Sequence, residues 1–178
     1  MNTHIALLRG INVGGNNALP MKELVVILED LGARHVRTYI QSGNAVFQAT
    51  ETNCSRISRD LATEIKRRHG FAPHLFFLDL EALDAAIANN PYSEAEAVPG
   101  SLHLGFLASV PSSPDLVKLD GIRKASERFH LDDNLFYLHA PEGVGRSRLA
   151  ASAEKLLGVP MTVRNWRTAC KLRELAGE

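Results

Sequence analysis

A chain of 178 residues is long enough for one large domain or two small ones sharing a core, and 45% hydrophobic with 22% charged residues is ordinary for a globular protein. Lys+Arg and Asp+Glu each count 20, so no net field draws the chain to nucleic acid or to a membrane surface, and a cationic site has to come from local clustering. No apolar run approaches the ~20 residues that span a bilayer. With no signal peptide visible, Cys54 and Cys170, far apart and outside any CxxC pattern, read as reduced thiols, and the expected location is the cytoplasm.

In chain order, residues 3–9 read as a first strand. Residues 20–31 read as a helix opened by Pro20, with Met21, Leu24, Val25, Ile27, Leu28 and Leu31 at helical spacing and Gly32 as its stop. Residues 36–40 and 45–48 form a hairpin around Gln41-Ser42-Gly43-Asn44. Thr52 or Asn53 is expected to cap a second helix running through His69, closed by Gly70 and burying Ile57, Leu61 and Ile65. Residues 74–78 make a fourth strand, and residues 80–88 a short helix ending at Asn90-Pro91. Residues 92–100 read as a connector.

The order then repeats. Residues 102–108 are a strand, and Ser113 or Pro114 opens a helix expected to reach about residue 128. Residues 129–131 and 135–139 form a hairpin around Asp132-Asp133-Asn134. A helix over residues 147–157 stops at Gly158, residues 161–163 form a last strand, and Asn165 or Thr168 starts a terminal helix. Two passes of β-α-β-β-α-β predict an α+β fold of two tandem ferredoxin-like halves, 1–91 and 92–178.

That topology places chemistry. In a split βαβ unit the loop after the first strand shares an end with the hairpin between the second and third. Residues 9–17 should therefore lie beside residues 41–44. In the second half the loop after the third strand shares an end with the close of the fourth. This puts Gly143-Val144-Gly145-Arg146-Ser147-Arg148 beside Arg164-Asn165-Trp166-Arg167.

Both clusters join turn-forming residues, cations and helix N-termini, which together favour anions. The expected anion-binding set is Arg9, Asn12, Gly14, Gly15, Lys22, Gln41, Ser42, Asn44, Arg146, Arg148, Arg164, Asn165 and Arg167. Lys22, Arg146 and Arg148 flank helix starts, where a cation costs stability. The plainer reading makes the glycines a tight turn, Arg9 a partner of a structural carboxylate, the arginines a solvated face or partners of Glu142 and Glu154, and Trp166 a core anchor. Asn16-Asn17 stands where a P-loop needs Lys-Ser/Thr, and no GxGxxG occurs, so nucleotide fingerprints are absent. No His, Cys or carboxylate set has ligand spacing, so no metal and no cofactor is expected. No catalytic residue is assigned.

The strings Arg9-Gly10-Ile11-Asn12-Val13-Gly14-Gly15, Tyr39-Ile40-Gln41-Ser42-Gly43-Asn44, Gly145-Arg146-Ser147-Arg148 and Arg164-Asn165-Trp166-Arg167-Thr168 are distinctive as a set. By them the chain resembles, essentially end to end, the bacterial domain of unknown function 1697 family. Arg148 stands where that family commonly carries lysine, which keeps the charge and changes the donor geometry. The resemblance implies a compact α/β fold of ferredoxin-like halves and brings no activity with it. The expected partner is a small anionic ligand, phosphorylated or carboxylated. The alternatives are an enzyme of phosphoryl or acyl transfer with an unrecognised acid or base, and a nucleic-acid-binding or protein-interaction module.

Overall fold

The computed structural model describes residues 1–177. Its elements are β1 (Asn2–Arg9), α1 (Met21–Asp30), β2 (Arg34–Thr38), β3 (Asn44–Ala49), α2 (Glu51–His69), β4 (His74–Asp79) and α3 (Leu80–Ala88). After a 3-10 turn over Ser93–Ala97 come β5 (Leu102–Leu107), α4 (Leu116–Ile122), β6 (Arg128–Asp132), β7 (Leu135–His139), α5 (Arg148–Leu157), β8 (Met161–Asn165) and α6 (Trp166–Gly177). They build two four-stranded antiparallel sheets, ordered β2-β3-β1-β4 and β6-β7-β5-β8. Each sheet has the strand order of a split βαβ unit, so the fold is α+β with two ferredoxin-like halves.

Periodicity explains the first half. Strand alternation turns Ala6, Leu8, Ala45 and Phe47 to one face, where Leu24, Ile27 and Leu28 of α1 and Ile57, Leu61 and Ile65 of α2 pack on them. Each of these six helical side chains is fully buried, worth roughly 1.5–3 kcal/mol apiece. In the second half Leu149, Ala153 and Leu157 of α5 and Leu119 of α4 pack on Leu107, Phe136, Leu138 and Met161.

Helix ends follow local chemistry. After α1, Gly32 at φ +98° lets its N–H reach the Glu29 carbonyl (2.9 Å) while the Ala33 N–H reaches that of Leu28 (2.9 Å), a Schellman stop. Gly70 and Gly158 close α2 and α5 in the same left-handed conformation. The start of α2 differs from expectation: Thr50 is the cap, its hydroxyl accepting the Asn53 N–H at 3.3 Å, and Asn53 instead donates to the Gly32 carbonyl at 3.1 Å. Pro20 sits at the N-cap of α1, one residue before the first helical position.

The fourth helix is much shorter than its sequence pattern suggests. Residues after Ile122 leave the helix because Glu127, almost wholly buried, accepts the Lys124 N–H at 2.8 Å while Arg123 donates to the Glu127 carbonyl at 2.9 Å. A tertiary loop thus takes residues that propensity assigns to a helix.

Two compact units divide the chain: Met1–Ala85 with Lys171–Glu178, and Ala86–Cys170. The close of α6 therefore counts with the first unit. Within that unit Arg37 donates to the Leu175 carbonyl at 3.4 Å and Arg173 pairs with Asp84 at 2.9 Å.

Candidate functional site

In the first unit the loop after β1 does meet the β2–β3 turn. The Leu8 N–H donates to the Gly43 carbonyl at 2.7 Å, and the Asn12 amide donates to the Gln41 carbonyl at 2.8 Å. The loop is a small self-bonded hairpin. Val13 and Asn16 bridge at 3.0 Å across Gly14 and Gly15, both at positive φ, the geometry of a type I′ turn. Asn12 and Asn17, also at positive φ, pair below it at 3.1 Å. The glycines thus serve a turn.

The side chains here divide into structural and solvent-facing. Asn12 commits its whole amide to the protein: the oxygen accepts the Leu19 N–H at 2.8 Å, and the nitrogen donates to the carbonyls of Leu19 (2.9 Å) and Gln41. Asn44, fully buried, donates to the Tyr39 carbonyl and to the Ser42 hydroxyl. Arg9, Lys22, Gln41 and Ser42 are exposed, with Arg9 opposite His74 in the β1–β4 register and Lys22 in the first turn of α1.

In the second unit β7 and β8 both run antiparallel to β5, so the loop after β7 and the close of β8 share an end, as expected. The arginines there part company. On β8, Val163 and Arg164 face opposite sides of the sheet. Arg164 is 8% exposed and donates to the Thr162 hydroxyl (2.8 Å) and the Val163 carbonyl (2.9 Å); its burial pulls the guanidinium down to about 10. Trp166 is 5% exposed, a core anchor and no platform for a base. Asn165 caps α6 by accepting the Thr168 N–H at 2.9 Å.

Arg146, Arg148 and Arg167 are exposed, and none has a carboxylate partner among the described residues. The expected partner Glu142 is taken by Ser126 (2.6 Å) and Lys124 (2.9 Å), which hold its carboxyl below the usual range. Glu154 accepts the Met161 N–H at 2.8 Å. Arg148 opens α5, whose cap Ser147 accepts the Ala150 N–H through its hydroxyl, and no acid stands in that first turn.

Beside this helix start lies a cavity of about 300 Å³ that residue patterns did not reveal. Its floor is Phe136, Leu138 and Met161, and its mouth carries Val144 and Val163, 36% and 41% exposed. The available signal was the run of small residues Ala150-Ala151-Ser152-Ala153 on α5 and Gly105 in an otherwise bulky strand. Among the described residues no His/Cys/Asp/Glu group is arranged to hold a metal, and no helix is long and apolar enough to cross a membrane.

The model of the family described as "Protein of unknown function (DUF1697)" matches residues 1–137. The chain belongs to this family. Among curated proteins none matches it. Of solved structures, conserved bacterial protein SP0830 from Streptococcus pneumoniae superposes with a TM-score of 0.73 at 24% identity, covering 98% of each chain, a likeness of fold. A proposed glycine cleavage system transcriptional repressor aligns over 92% of this chain and 96% of its own at 11% identity, but its TM-score of 0.27 carries no argument. This DUF1697 member therefore shares its fold with that bacterial protein.

Proposed function

We propose that this DUF1697 protein binds a small phosphorylated or carboxylated anion, and that the stronger of its two candidate places is the start of α5. The observation that carries this reading is the state of Arg146 and Arg148: two exposed guanidinium groups without carboxylate partners, at a helix start that would favour acids by ~0.3–1 kcal/mol. An anion there would satisfy both the dipole and the charges. Arg167 belongs to the same end of the unit. Arg164 supports from beneath, through the backbone carbonyl of Val163. In the first unit Arg9, Lys22, Gln41, Ser42 and the tip glycines Gly14 and Gly15 form the second place, with Asn12 and Asn44 holding its shape.

The neutral overall charge and the burial of Trp166 favour a compact anion over a nucleic-acid strand. The test is thermal melting with inorganic phosphate and with acetate. Stabilisation should follow RT ln(1 + [L]/Kd), ~2.7 kcal/mol at a hundredfold excess over Kd. Arg146→Gln with Arg148→Gln should melt like the parent without ligand and lose the shift. An unchanged shift in that variant would contradict the assignment.

A further inference from the structure

The apolar cavity in the second unit ends at the same residues as the cationic helix start. Val144, Gly145 and Ser147 line it; Arg146 stands between two of these, and Arg148 follows the last. Its volume of about 300 Å³ lies at the small end of ligand pockets, and is about twice an engineered apolar cavity that holds benzene. The space has a structural origin. Gly105 has no side chain, and a Cβ there would collide with the Met161 sulfur, so Met161 lies across β5 while Ala150, Ala151 and Ala153 leave the α5 side thin. Val144 and Val163 flank the cavity's mouth, 36% and 41% exposed.

We infer that the cavity takes the apolar body of an amphipathic monoanion, a carboxylate on a chain or bicycle of about eight to ten carbons, with its head at Arg146, Arg148 and the start of α5. Charge complementarity commits the occupant: a slot whose lining carries no charged residue, with Arg146 and Arg148 next in the chain to its lining residues Gly145 and Ser147, suits one acid group better than a polyanion. The inference rests on the anion reading above and narrows it to a ligand class. Phe136, Leu138 and Met161 would contact the tail, and Val144 and Val163 would close over it.

The experiment is calorimetric titration of the whole chain with butyrate, octanoate, 1-octanol and inorganic phosphate. Each buried methylene should tighten binding about fourfold, so octanoate should bind on the order of a hundredfold tighter than butyrate. Ala151→Trp, at an exposed position of α5 that lines the mouth, should weaken octanoate at least about tenfold while leaving the melting temperature and phosphate binding near the parent's. Arg146→Gln with Arg148→Gln should weaken octanoate and leave 1-octanol unchanged. If phosphate binds but octanoate gains nothing over butyrate, the cavity inference fails and the anion reading stands. If octanoate and 1-octanol bind alike and both arginine changes are silent, the anion reading fails. Octanoate binding that survives Ala151→Trp unchanged would place the ligand elsewhere and overturn the inference.

Discussion

The Asn12 side chain donates to the Gln41 backbone carbonyl at 2.8 Å, tying the loop after β1 to the turn between β2 and β3. The same amide exchanges two further bonds with Leu19, so one residue sets the shape of the whole loop. Its φ of +53° suits asparagine better than most residues. Asn12→Ala loses three bonds at ~1 kcal/mol each, offset in part by water, and strains the backbone. It should cost about 2–3 kcal/mol in chemical denaturation, measured as a lower urea midpoint at constant m. A change within ~0.5 kcal/mol would show that the loop stands without it.

Gly43 and Gly15 share a positive φ but not a neighbourhood. A Cβ on Gly43 would stand 2.7 Å from the Leu8 Cβ and 2.8 Å from the Ile11 Cδ1, whereas Gly15 has open space around it. Gly43→Ala should therefore cost about 2–4 kcal/mol, strain plus collision, and Gly15→Ala only ~1 kcal/mol from strain. Paired urea melts check the ordering. Equal losses would remove the packing argument.

Acid should weaken the fold from near neutrality downward. Burial lowers the His103 pKa below its usual 6.5, its Nδ1 has no hydrogen-bond partner, and Leu138 and Asn165 are its register neighbours. His4 and His139 are lowered in the same direction, each mainly by burial. The folded chain thus binds fewer protons than the unfolded one below 6.5, so stability rises with pH across that window and is lost as pH falls through it. His103→Leu should shrink the difference between urea midpoints at about pH 7.5 and about pH 5.5. A variant whose pH dependence matches the parent's would exclude His103 as a contributor.

The repeated strand order was readable because buried stripes such as Ile57, Leu61 and Ile65 keep helical spacing, and because Gly32, Gly70 and Gly158 punctuate the helices. What escaped depends on contacts distant in sequence. The cap of α2 is Thr50, two to three residues before Thr52 and Asn53, because Asn53 is drawn to the Gly32 carbonyl. The early end of α4 depends on the side chain of Glu127 folding back to Lys124. The arginine cluster was legible as sequence, but its split was not. Which of Val163 and Arg164 faces the helix is a matter of one residue in register. The cavity needs Gly105 opposite Ala150, two residues that no local pattern joins.

The proposed anion sits at the start of α5. Backbone amide NMR during titration with phosphate, then octanoate, tests it most directly. The largest shift changes should fall on Gly145 to Ala151, with Val163 joining when octanoate is used. Shifts confined to the Val13–Asn16 turn of the first unit, or absent altogether, would contradict it.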